Sequence, residues 1–182
     1  MNVYLFNLWN QLKASFWLLP ALMTIGAFGL SFATLGWDRS LEGKDLSSYS
    51  IWQGGAEGAR QLLSTIAGSV ITITGVVFSI TIVCLALTSN QYGSKLLRNF
   101  MQDWGTQVVL GTFISTSIYS LLILKTIRSD EPVFVPNASI TVSLTFAILS
   151  LCMLIYFIHH LSVRVQSADI IDRVASNLIK MV

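Results

Sequence analysis

The chain has 182 residues, of which 53% are hydrophobic and only 11% charged, with a net charge of +2 and a mean hydropathy of +0.67. Soluble domains carry roughly a quarter charged residues, so this is not a soluble composition. Its near-neutral balance, high apolar content, two cysteines and lack of any basic run exclude a disordered segment, a disulfide-stapled secreted domain and a nucleic-acid module.

The charges avoid four stretches altogether: Ala14 to Trp37, Gln61 to Ser94, Trp104 to Leu124 and Pro132 to Val163, which are 24, 34, 21 and 32 residues long. All 20 charges fall in the other 71 residues, at an ordinary aqueous density of about 28%. Each stretch exceeds the roughly 20 residues that an α-helix needs to cross about 30 Å of hydrocarbon. The sequence therefore predicts an all-α fold, an integral membrane bundle of four transmembrane helices with short amphipathic interfacial helices. The spans are placed at about 15–37, 61–88, 105–124 and 137–159, within a membrane domain of residues 1–163.

Met1 to Lys13 interleaves Tyr4, Phe6 and Trp9 with polar residues, which suits a helix lying in the headgroup region. The first span is too long for a signal peptide, and Trp17 and Trp37 set aromatic anchors about 30 Å apart on a helix. A polar connection, Asp38 to Arg60, leads to a helix that begins before the membrane near Ala56 and ends near Thr88. The chain then turns at Ser89. Ser94 is an N-cap candidate, and Leu96, Leu97, Phe100, Met101 and Trp104 share one face of a short interfacial elbow with Lys95, Asn99, Gln102 and Asp103 on the other.

Span three is followed by a tight loop containing Lys125, Arg128, Asp130, Glu131 and Pro132, then by span four. From Arg164 to Val182 an amphipathic helical pattern resumes, with Ile171, Val174, Ala175, Leu178 and Val182 on one stripe. Nothing closes that helix, so a continuation into a C-terminal soluble part is expected. With four spans, both termini share a side with the elbow. That side holds six Lys and Arg against five on the other, and six of the nine acidic residues lie on the loop side. The termini are accordingly placed in the cytoplasm, in a multi-pass membrane protein.

Span two carries the strongest local signal. Thr65, Ser69, Thr72 and Ser79 converge on one face, flanked by Gly68 and Gly75. Such a face offers uncharged oxygen ligands to a partly hydrated ion or small solute. It equally suits close helix packing, in which each hydroxyl returns to the carbonyl four residues back. Thr74, Thr81 and Thr88 form a second, weaker stripe roughly opposite, and a helix with two hydroxyl stripes sets at least one against another helix or a second subunit, which favours a homo-oligomer or a subunit of a membrane complex. No Asp, Glu, Lys or Arg lies in any span, so ion-coupled pumping is disfavoured.

His159 and His160 end span four. They point about 100° apart on a helix, so they do not ligate one metal together, and their readings are interfacial residues or a pH-sensitive pair. In the elbow, Gln91, Tyr92, Lys95 and Arg98 suit either a pore vestibule with headgroup contacts or a plain helix-capping turn. Cys84 and Cys152 read as small core residues. There is no phosphate loop, nucleophile elbow, paired carboxylate, CxxC or haem motif. Neither catalysis nor a cofactor nor a bound metal is expected. The sequence alone suggests a channel-like conduit for ions or small solutes lined by span two. The alternative is a non-conducting membrane anchor or accessory subunit.

Several runs resemble a known family. They are Thr81-Ile82-Val83 through Leu87, then Ser89, Gln91 and Tyr92, then Lys95 to Met101; Gln107 to Phe113; Phe134-Val135-Pro136; and Ile155 to His160. In order and spacing they resemble the bacterial predicted membrane proteins called domain of unknown function 2254, over most of Ser15 to Gln166. The resemblance implies an inner-membrane protein with an N-terminal membrane part and a sizeable C-terminal soluble part. It transfers no activity and no catalytic residues. One departure is Ser94, which stands where the family usually has a proline.

Overall fold

The computed structural model describes residues 17–40, 55–92, 103–128 and 134–180. They form four helices: α1 Leu18–Ser40, α2 Ala56–Tyr92, α3 Trp104–Thr126 and α4 Asn137–Lys180. All four are long and apolar enough to cross a membrane. Among the described residues the only extended pairing is one antiparallel bridge between Arg128 and Phe134, which narrows the α3–α4 connection. Met1 to Lys13 and residues 93–102, which include most of the expected elbow, lie outside the described residues.

The helices are longer than the spans they contain. α2 runs on through Ser89 to Tyr92, where a turn is expected, because the stretch from Ser89 to Tyr92 holds neither glycine nor proline. Asp103 and Trp104 belong to the start of α3 instead of an elbow. The amphipathic segment after Arg164 is no separate helix but the continuation of α4, a 44-residue helix containing neither glycine nor proline.

α3 occupies the centre. In its apolar window 61% of residues are buried, against 11% to 22% in the other three helices, and it packs against all of them. A helix surrounded on every side has no room for a wide outward face. α3 meets this with small and hydroxyl residues in every direction, including Gly111, Thr112, Ser115, Thr116, Ser117 and Ser120, all buried. α1 presents Pro20, Ala27, Ser31 and Leu35 inward, at spacings of seven, four and four that hold to one helix face. The approach is close. A Cβ built on Gly111 would stand 2.5 Å from Met23 Sδ and 3.2 Å from the Cα of Pro20.

Two apolar clusters lie along α3. One gathers Ala27, Leu35, Leu63, Tyr119, Ile123 and Ile140 near the end where the α1–α2 and α3–α4 connections leave the bundle. The other gathers Ile66, Val70, Val77, Val109, Phe113 and Phe157 nearer the start of α3. Leu22, Ile25, Phe28 and Phe32 of α1 and Ile148, Leu151 and Ile155 of α4 face outward. An apolar surface of this extent is stable against hydrocarbon rather than water. Cys84 is half-buried, but Cys152 lies on that outer surface and is not a core residue.

Candidate functional site

The six positions of the span-two face lie together in the structure. Thr65, Gly68, Ser69, Thr72, Gly75 and Ser79 are all exposed along one side of α2, while Leu63, Ile66, Ala67, Val70 and Val77 bury the opposite side. Three of its four hydroxyls turn back onto their own helix. Thr65 Oγ1 donates to Gln61 O at 2.8 Å, Ser69 Oγ to Thr65 O at 2.8 Å and Thr72 Oγ1 to Gly68 O at 2.9 Å. Their protons are thus spent, and only acceptor lone pairs point outward. Nothing lies within 4 Å of a Cβ position at Gly68 or Gly75, so α2 shows bare backbone there. Within one copy the stripe borders no internal passage, since α3 fills the centre of the bundle.

Between α3 and its neighbours at depth, the polar contacts come from residues the sequence pattern did not single out. Thr116 Oγ1 and Ser150 Oγ are 3.0 Å apart, and Ser120 Oγ and Ser143 Oγ are 2.7 Å apart, so two hydroxyl pairs join α3 to α4. Tyr119, fully buried, places its hydroxyl 2.9 Å from Thr34 Oγ1 of α1 and donates to Ser139 O of α4 at 3.3 Å. Its ring meets Phe146 edge to face at 5.3 Å. One residue on α3 therefore ties three helices. Ser115 Oγ is buried with no hydrogen-bond partner among the described residues.

A carboxylate clamps each end of the bundle. At the loop end Asp38, in the last turn of α1, accepts from Ala138 N at 3.0 Å and from Ser139 N and Oγ at 2.9 and 2.6 Å. It thereby caps α4 from another helix and sets a negative charge at that helix's positive end. Arg60 Nη2 donates to Ile127 O at 3.0 Å, closing the end of α3.

At the other end Asp103 is the N-cap of α3, accepting from Thr106 N at 3.2 Å and from Thr106 Oγ1 at 2.7 Å. His160 Nε2 lies 3.0 Å from the same carboxylate oxygen. An ionised carboxylate only accepts, so a hydrogen bond to it takes the tautomer with its hydrogen on Nε2. Gly105 makes the approach feasible, because a Cβ there would stand 2.9 Å from His160 Nε2, and the imidazole stacks on Tyr156 with centroids 5.5 Å apart. His159 is exposed, so the two histidines diverge and only His160 enters this contact. Of the elbow residues, Gln91 and Tyr92 are helical in α2, while Lys95 and Arg98 lie outside the described residues.

Residues 13–182 match the family model described as "Predicted membrane protein (DUF2254)". Uncharacterized proteins of Mycobacterium bovis and Mycobacterium tuberculosis are each 35% identical to the chain over 168 residues, covering 91% of it and 32% of their own length. The chain thus spans about a third of the length of these curated relatives. No solved structure matches it. A four-helix membrane-type bundle matched over nearly all of its length places the chain in the family of predicted membrane proteins with domain of unknown function 2254.

Proposed function

We propose that this bundle is the membrane-anchoring unit of a larger bacterial inner-membrane protein, with both termini in the cytoplasm, and that it carries no catalytic centre of its own. The observation behind this reading is the filled interior: α3 packs against every other helix, and Thr72, Thr116, Ser120, Ser143 and Ser150 spend their hydroxyls on one another or on their own backbone. Such hydroxyls act as packing contacts between helices rather than as ligands for a passing solute. The relatives' additional length is consistent with a further part held at the membrane. The anchor is expected to pack against a second copy or a membrane partner through the outer face of α2.

A second reading is favoured by one feature. The Thr65 to Ser79 stripe faces away from its own bundle, where several copies around an axis would line a conduit between them. Flux of ions or small solutes from liposomes containing the chain separates the two. An anchor gives leakage equal to protein-free liposomes, and Thr72→Ala with Ser79→Ala changes nothing. Flux above that background, lost in the double variant, establishes the conduit and overturns the anchor.

A further inference from the structure

A cleft of about 540 Å³ opens between the last turns of α1 and α3 at the loop end, a size in the usual range of ligand sites, roughly 300–1,000 Å³. Its lining has two characters. Phe32 and Leu35 of α1, Leu122 of α3 and Phe134 form an apolar wall that reaches toward membrane depth. Arg39, Lys125 and Arg128 line it as well, in or just past the last turns of α1 and α3, and Trp37, two residues before Arg39, is exposed.

The three cations have nothing to neutralise them among the described residues. Asp38, adjacent to Arg39 in the chain, is committed to the start of α4 through both of its oxygens. The one contact between an acidic and a basic side chain among the described residues, His160 with Asp103, lies at the opposite end of the bundle. Arg60, a fourth cation at the loop end, is spent on Ile127 O. The hydroxyls that line the cleft are also occupied, with Ser31 Oγ donating to Phe28 O at 2.7 Å and Thr126 Oγ1 to Ile123 O at 2.7 Å. Among the described residues that line the cleft, polar recognition is therefore left to positive charge.

Helix dipoles account for a single cation at the end of α1 or of α3. They do not account for Arg128, which follows α3 and lines the same cavity as the other two and the apolar wall. A bare inorganic anion would use the cations and lose hydration against the wall. An anionic amphiphile uses both parts. We propose that this cleft binds an anionic glycerophospholipid of the leaflet on the loop side, its phosphate held by Arg39, Lys125 and Arg128 and the upper part of an acyl chain lying on Phe32, Leu35 and Phe134. The proposal is independent of whether the bundle conducts.

The full chain, purified in detergent and stripped of lipid, is titrated with phosphatidylglycerol, phosphatidylcholine or inorganic phosphate, and the bound adducts are counted by native mass spectrometry. Phosphatidylglycerol is expected to be retained about tenfold more strongly than phosphatidylcholine, as three interfacial cations allow. The triple variant R39Q/K125Q/R128Q is expected to bind both lipids alike. The single Arg128→Gln, at an exposed position, lowers the preference severalfold and guards against misfolding of the triple variant. Lys180→Gln, at the far end of α4, leaves the preference intact. Equal retention of the two lipids by the native chain, a preference that survives the cation variants, or inorganic phosphate displacing the lipid at comparable concentration would each overturn the proposal.

Discussion

Asp38 of α1 holds Ser139 of α4 by both its backbone N–H and its hydroxyl, across 101 residues of chain. A helix normally takes its cap from the residue that precedes it. Here that residue is Pro136, buried and without a polar side chain, so the first turn of α4 depends on a carboxylate from another span. Asp38→Ala leaves two N–H groups and one hydroxyl without their acceptor. It is expected to lower stability by about 1–2 kcal/mol, read as a shift in the midpoint of denaturant-induced unfolding in micelles. Ser139→Ala, which removes one of three bonds, is expected to cost less.

Asp103 combines two roles that substitution can separate. It accepts from Thr106 as the N-cap of α3 and holds His160 of α4 through the same oxygen. Asp103→Asn keeps a capping oxygen and loses the charge, whereas Asp103→Ala loses both. The alanine variant is expected to be less stable than the asparagine variant by about 1 kcal/mol. His160→Ala in the native background is expected to match Asp103→Asn more closely than Asp103→Ala. If the two Asp103 variants unfold together, the cap contributes nothing and the helix start is held by other contacts.

Tyr119→Phe tests the contact that joins α1, α3 and α4. It removes a hydroxyl shared by Thr34 and Ser139 O but leaves the ring against Phe146. Thr34 retains alternatives at Leu30 O and Ser31 O, 3.0 and 3.1 Å away, so no donor is stranded. The loss is expected to be small, about 0.5–1.5 kcal/mol. A double-mutant cycle on Ser120 and Ser143 is expected to give about 0.6 kcal/mol of coupling, the usual scale for hydroxyl pairs between membrane helices. A coupling near zero in that cycle would remove these pairs from the account of what holds α3 to α4.

The four spans are legible in the sequence because lipid excludes charge, and charge is counted directly. Which span sits in the middle is harder, since four apolar stretches look alike in composition. The distinguishing signal is angular. On α2 most of the hydroxyls and glycines from Thr65 to Ser79 gather along one side, with Thr74 opposite, as an outward stripe permits; on α3 Gly111, Thr112, Ser115, Thr116, Ser117 and Ser120 spread around most of the helix, as burial on every side requires. The run Asp103-Trp104-Gly105-Thr106 also carries a local N-cap signature, with a carboxylate three residues ahead of the threonine it accepts from. The clamp from Asp38 to Ser139 has no local signature at all. It is a relation between two loop-end positions brought together only when α1 and α4 pack side by side.

Gly111 and Gly68 give the sharpest contrast between a glycine that packs and one that lies open. A Cβ at Gly111 collides with Met23 and comes within 3.2 Å of the backbone of Pro20, whereas one at Gly68 meets nothing. The Met23 side chain can swing aside, but the Pro20 backbone moves only with α1. Gly111→Ala is therefore expected to loosen the α1–α3 seam at a cost of about 1–3 kcal/mol, and Gly111→Leu to cost more. Gly68→Ala is expected to leave unfolding unchanged or to raise the midpoint slightly, since alanine favours helix by up to about 1 kcal/mol. Gly68→Leu leaves the single bundle equally intact but places a bulky side chain on the outer face of α2. If copies associate through that face, crosslinking between copies in membranes falls in Gly68→Leu while unfolding of the bundle does not change. Unaltered crosslinking in that variant would place any association on another surface of the bundle.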